Sequence, residues 1–286
     1  MSNENVNKSK KELMAIELNN LFSKLNDKER FAFEVIVSNG ISEEKEAKEI
    51  VSNTPMDENM RFISKDAAWR SIVSLVKVGI FDLERMHTGY RTFNILKSTD
   101  MGARLYRLRF RKEPEVQEHI RLRKEHASYL HGYMVKDVAT IVEKKGWYAY
   151  ISTNRKQNTL KLSDGRTLIP DVIGKSGDKF DLYEVECGNH NQADFNDKCN
   201  KIMAVSRKII IVGQNRDLVT RILKPQVEKW IQTVGKDVLK IVGMKVYLFG
   251  MSDLAAGQIT YYYDMNLEEP ICCFKKPKKE ETTDEQ

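Results

Sequence analysis

Nowhere does this sequence run to about 18 consecutive apolar residues, so it offers no candidate transmembrane helix. Its opening segment, Met1-Ser-Asn-Glu-Asn-Val-Asn-Lys, lacks the apolar core of a secretory signal. Cysteine is scarce: Cys187, Cys199, Cys272 and Cys273 are all there are, without CxxC spacing. That argues against a disulfide framework and fits a reducing, cytoplasmic setting. Cys187, His190 and Cys199 read as two small apolar fillers and a loop histidine in preference to zinc ligands. No P-loop phosphate motif, GxGxxG or GxSxG occurs. The five histidines are too scattered for relaxase chemistry, so Tyr261-Tyr262-Tyr263 reads as packing in a late strand. No internal repeat is present.

What is there suits a globular chain of 286 residues, long enough for two domains, with 41% hydrophobic and 31% charged residues. Against 41 Asp+Glu stand 47 Lys+Arg, a net charge of +6. This modest surplus suits a nucleic-acid partner without requiring one. Residues 1–12 and 275–286 are polar, charged and expected to be disordered.

From Asn26 the pattern is helical. Asn26 with Glu29 makes a capping box, Phe31, Val35 and Ile36 an apolar stripe, and Asn39-Gly40 a stop. A second helix is expected from Ser42 to about Asn53. A third starts at Ser64 and runs through Trp69, Ile72, Val73 and Val76 to Gly79. Ile80–Glu84 and Arg91–Leu96, joined at His87-Thr88-Gly89, read as a β-hairpin. Three helices and a hairpin over 13–112 are the order of a winged helix-turn-helix. Lys65, Arg70 and Lys77 on the third helix and Arg85, His87 and Arg91 on the wing are its candidate DNA contacts. A helix opening at Ser98-Thr99 carries Arg104, Arg107, Arg109 and Arg111, and a charged helix over 115–131 completes a basic connector (113–131). Arg104 and Arg107 are further candidates for phosphate contact. Solvated helix faces used for nothing, or for protein contacts, would look the same.

The second half (132–274) opens with a helix over about 133–145. Strands are expected at Trp147–Ser152, Thr159–Leu162, Leu168–Gly174 and Phe180–Glu186, a helix over 192–206 and a strand at Lys208–Val212. A helix at Asp217–Val234, a short strand at Val238–Ile241 and a buried strand at Lys245–Phe249 follow. This α-β-β-β-α-β order with an extension predicts a mixed sheet flanked by helices, an α+β or α/β fold.

The chemistry concentrates at 170–201. Glu184 and Glu186, two apart on a strand, share a face, and pairing with the preceding strand brings Asp171 alongside. Two carboxylates about 5 Å apart repel by roughly 3 kcal/mol at an effective dielectric near 20, so the group calls for a cation. Open carboxylate oxygens are what Mg²⁺ or Mn²⁺ takes. On the next helix Phe195, Cys199 and Ile202 form an apolar face, and Asp194, Lys198 and Lys201 a polar one. The lysines are thereby placed to border the carboxylates. Alternatively, Glu184 and Glu186 are an exposed strand face paired with those lysines.

Pro170-Asp171, a spacer, then Glu184-Val185-Glu186 on an α-β-β-β-α-β run resembles the PD-(D/E)xK nuclease superfamily, whose fold is that of restriction endonucleases. Coupling to a winged helix resembles the replication-relaxation-type proteins of conjugative and mobilisable elements. The endonuclease subunits of heteromeric transposases are a more distant likeness. The resemblance implies a Mg²⁺- or Mn²⁺-dependent DNA endonuclease or nickase, with Asp171 and Glu184 as metal ligands and Glu143, or less aptly Asp137, as the acid of the first helix. It makes Asp171, Glu184, Glu186, Lys198 and Lys201 the catalytic set. Glu186 stands where the family has lysine, so Lys198 or Lys201 must replace it. The implied partners are double-stranded DNA, other replication or transfer proteins of the element, and a second copy of the chain; none is a membrane. Two alternatives stay open: a catalytically inactive accessory factor in plasmid replication or conjugative transfer, and a winged-helix transcriptional regulator with a small ligand.

Overall fold

A computed structural model of the chain describes residues 10–126, 128–151 and 159–272. Of the tails expected to be disordered, residues 1–9 and 275–286 lie outside those residues, as do Cys273 and the last residue of the strand expected to reach Ser152, while residues 10–12 are corrected to helix. The chain forms two compact units: residues up to His87 with Thr92–Lys124, and Thr88–Arg91 with everything from Glu125. It is a mixed α+β molecule, with helices at the N-terminus and a mixed multi-strand sheet in the second unit. Among the described residues no helix is long and apolar enough to cross a membrane.

The first unit contains α1 (Lys10–Lys24), α2 (Asp27–Ser38), α3 (Glu44–Asn53) and α4 (Lys65–Lys77). An antiparallel hairpin, β1 (Phe81–His87) with β2 (Thr92–Ser98), follows, then α5 (Asp100–Phe110) and α6 (Glu118–His126), whose last two residues belong to the second unit. The Asn26–Glu29 capping box forms on α2. Helix α1 buries Leu18 and Phe22 with Leu25 just beyond its end, spaced i, i+4, i+7. Phe33, Ile36, Ile72, Leu75, Phe81 and Leu105 complete this core with no exposed surface. Trp69 is 49% exposed, because Ala68, Ser71, Ile72 and Leu75 already form the inward face of α4.

In the second unit α7 (Tyr129–Lys144) precedes β3 (Tyr148–Ile151), a small pair β4 (Leu160–Lys161) and β5 (Thr167–Leu168), then β6 (Val172–Ser176) and β7 (Lys179–Glu186). Helix α8 (Gln192–Met203) leads to β8 (Lys208–Gly213). Beyond it run α9 (Arg216–Leu218), a π-helical turn (Val219–Leu223), α10 (Lys224–Val234) and α11 (Lys236–Val242). The chain continues through β9 (Lys245–Gly250), α12 (Met251–Ala256), β10 (Tyr261–Asp264) and β11 (Ile271–Cys272). The main sheet has the order β11-β10-β9-β8-β7-β6-β3, with β7, β8 and β9 mutually parallel and the other pairs antiparallel.

Four further expectations are corrected. The strand expected over Leu168–Gly174 is broken at Ile169-Pro170-Asp171, where proline supplies no ladder N–H, so β5 and β6 belong to different sheets. The strand expected over Thr159–Leu162 shrinks to β4 and pairs only with β5. Val238–Ile241 lies in α11, between Gly235 at φ +94° and Gly243 at φ +70°, with Leu239 as its buried residue. The helix expected to run to His131 ends at His126, and a new one, capped by the Ser128 hydroxyl, begins at Tyr129. His131 therefore sits in the first turn of α7.

Candidate active site

Strand alternation builds the site. Leu182 faces the core formed with Phe195, Cys199 and Ile202 of α8, while Tyr183 and Val185 face Val135, Val138 and Val142 of α7. Glu184 and Glu186 consequently lie on the α8 side, and they are 1% and 2% exposed. Carboxylates so deep need partners. Lys198, beside Cys199 on α8, supplies one ammonium for both: Nζ is 3.1 Å from Glu184 Oε2 and 2.8 Å from Glu186 Oε1. Glu186 Oε2 also meets His190 Nδ1 at 2.7 Å. Glu184 Oε1 is buried with no hydrogen-bond partner among the described residues.

Asp171 stands just before β6. Because Val172 pairs with Tyr183, it comes level with Glu184. Pro170 ends the ladder there, and the outward N–H and C=O of Val185 lose their strand partners. Asp171 Oδ2 accepts the Val185 N–H at 2.9 Å, and His131 Nε2 lies 2.9 Å from the Val185 oxygen and 3.4 Å from Asp171 Oδ2. His126, at the end of α6, stacks edge-on to His131 with ring centroids 5.4 Å apart. His126, His131, Glu186 and His190 line a cleft of ≈180 Å³.

Burial, together with the Asp171 and Glu186 charges, pushes the Glu184 carboxyl up to about 8 against the pull of Lys198. Burial would raise Asp171 as well, but the His131 bond and charge, Lys198 and the Val185 N–H hold it down at about 2. Burial is likewise outweighed at Glu186 by His190 and Lys198, which lower it, and at Lys198 by the three carboxylates, which raise it. His131 is raised, since Asp171 and the Val185 carbonyl overcome its burial; His126 is lowered by burial and by the like charge of His131. Burial drives the Cys187 thiol up to about 11.

No family model, curated protein or solved structure matches this chain. The site must be read from its own atoms.

Of the residues expected in it, Asp171, Glu184, Glu186 and Lys198 come together. Lys201 does not: it pairs with Asp197 at 2.7 Å, one helical turn along α8. Glu143 is exposed near the end of α7 and joins no carboxylate cluster. Asp137, its alternative, is buried and accepts Arg91 Nε at 2.7 Å and the Thr88 hydroxyl at 2.5 Å, so it serves the turn Thr88–Arg91. His126 and His131 escaped the sequence reading. Their H-x₄-H spacing across a serine cap was the available signal, and it crossed a boundary placed in the wrong position. Asp171 and the orphaned Glu184 Oε1 suit a divalent cation: one carboxylate is held ionised, and the other lacks a donor that a cation would replace.

The candidate DNA contacts divide. Arg70 and Lys77, seven apart on α4, share an exposed face, and Arg85 on β1 and His87 at its end are exposed. The His87 ring bonds Thr92 Oγ1 at 3.0 Å, and Arg70 Nε bonds its own helix at Asp66 O. Lys65 pairs with Glu49 at 2.6 Å and Arg107 with Glu113 at 2.7 Å. Arg104 is exposed, with Nη1 2.9 Å from Met14 Sδ. Arg91 is committed to Asp137.

Proposed function

We propose that the chain is a DNA-binding protein of a mobile element whose second unit cleaves phosphodiester bonds with a divalent cation, as an endonuclease or nickase. One observation carries the reading: the ammonium of Lys198 reaches Glu184 and Glu186 from the following helix, taking the place of the lysine that the PD-(D/E)xK pattern puts at 186. The order α7-β3-β6-β7-α8-β8, with β7 and β8 parallel, fits a nuclease of that kind. Asp171 and Glu184 would hold Mg²⁺ or Mn²⁺, which when bound supplies Lewis-acid activation of water and of the phosphate. His131 fixes the Asp171 carboxylate, Glu186 anchors Lys198, and Lys198 meets the charge that develops on the phosphate oxygens. In the first unit, the helices α2–α4 followed by the β1–β2 hairpin support a winged helix-turn-helix, with Arg70, Lys77, Arg85 and His87 toward DNA.

Nicking of supercoiled plasmid in Mg²⁺ or Mn²⁺ tests this. Cleavage is expected from the native protein and is expected to vanish in Asp171→Ala and Glu184→Ala while DNA binding persists. A second reading, a catalytically inactive accessory factor, is favoured by the exposure of Glu143 and by the pairing of Glu184 and Glu186 with Lys198. Tight DNA binding without cleavage in either metal would select it.

A further inference from the structure

His126 has no role in that reading, and His131 only an orienting one. Yet one ligand atom from each of His126, His131 and Asp171 lies within 4.8 Å of the others. His126 Nε2 is buried and has no hydrogen-bond partner among the described residues, a state that costs about 1–3 kcal/mol in a protein interior. The 3.4 Å between His131 Nε2 and Asp171 Oδ2 is close to the spacing, about 3.3 Å, of two ligands each 2.0–2.1 Å from one tetrahedral ion. The adjoining cleft gives access from solvent.

We infer that His126, His131 and Asp171 form a two-histidine, one-carboxylate site for a nitrogen-accepting divalent transition ion such as Zn²⁺, Co²⁺ or Mn²⁺, in preference to Mg²⁺. Imidazole suits such ions, and three protein ligands leave a position open for water or a phosphate oxygen. Mg²⁺ demands near-octahedral oxygen ligands and gains little from the two rings. Binding through His131 Nε2 would cost the contact with the Val185 carbonyl, with the ring proton moving to Nδ1. The inference goes beyond the nuclease reading, shares with it Asp171 and the His131 that orients it, and holds whether or not DNA is cut.

Titration of the full-length, metal-stripped protein with Co²⁺, followed by visible absorption, tests it. One equivalent is expected to bind with a tetrahedral-type spectrum, to be displaced by Zn²⁺ and to be untouched by excess Mg²⁺. His126→Ala and Asp171→Asn are each expected to weaken binding at least about tenfold, and Glu184→Ala to leave the spectrum in place. Circular dichroism checks folding, and two ligands from different elements are varied so that a misfolded variant does not decide the result. Failure of Co²⁺ to bind, or equal binding by both variants, would overturn the inference. Mg²⁺-dependent nicking without Co²⁺ binding would overturn it and leave the nuclease reading intact. Co²⁺ bound at these residues without nicking in any metal would do the reverse.

Discussion

Lys198 is held between Glu184 and Glu186, whose side chains are each 2% exposed, so removing its charge strands the ionised Glu186 and takes a bond from Glu184. Breaking a buried pair in this way costs about 3–5 kcal/mol. Lys198→Met is expected to lower stability by about 3 kcal/mol in urea denaturation, the low end because its own side chain is partly exposed. Lys201→Met, which loses only a pair with half-exposed Asp197, should cost below about 1 kcal/mol. Glu184 sets a pH dependence of opposite sign to the usual carboxylate. Its folded value, about 8, lies above its ordinary 4.5, so the folded state binds the extra proton. The resulting stability is complete below about 4.5 and is lost as pH rises through about 8, with an upper limit of roughly 4–5 kcal/mol. In EDTA, Glu184→Gln is expected to flatten the melting profile between those two pH values. An unchanged slope would place the titration elsewhere.

Local periodicity carried far at the level of helices and strands, because it reports what faces a core. The α8 stripe of Phe195, Cys199 and Ile202 is buried as the spacing required, and its polar side holds Lys198. What periodicity could not supply was the reach of each lysine: Lys198 and Lys201 share a face in the sequence, and only burial of the glutamates distinguishes them. Proline at 170 falls inside the strand expected over Leu168–Gly174, and its effect, ending the ladder so that Val185 is satisfied by Asp171 and His131, depends on pairing with a strand 14 residues away. The turn after β7 is tightly specified. Gly188 has φ +79°, and a Cβ there would come 2.6 Å from Leu218 Cδ1. Gly188→Ala is therefore expected to destabilise the protein by about 1–3 kcal/mol. A neutral result in thermal melts would show that the turn relaxes freely.

Across the chain, the mixed α+β class followed from counting helical and alternating segments, and this survives the four corrected elements. The His126–His131–Asp171 grouping did not follow, since its members are separated by up to 45 residues and meet within the second unit, where His126, the first turn of α7 and the residue after Pro170 come together. The basic surplus of +6 is a weak guide alone, and the proposed DNA-binding reading rests it on the exposed pair Arg70 and Lys77. If these two touch phosphates, Arg70→Gln and Lys77→Gln should each reduce the log–log salt slope of duplex binding by about 0.9 and weaken binding to all sequences. Fluorescence anisotropy at several salt concentrations would read this, and unchanged slopes would move the DNA surface elsewhere.

The most direct test of the account is single-turnover nicking of plasmid DNA, in Mg²⁺ and in Mn²⁺, by folded Lys198→Gln and Lys201→Gln proteins. Cleavage lost in the first and kept in the second is expected, since Lys198 alone of the two reaches the carboxylates. Cleavage that survives Lys198→Gln, or that fails equally in both, would contradict the assignment of Lys198 as the lysine of the site.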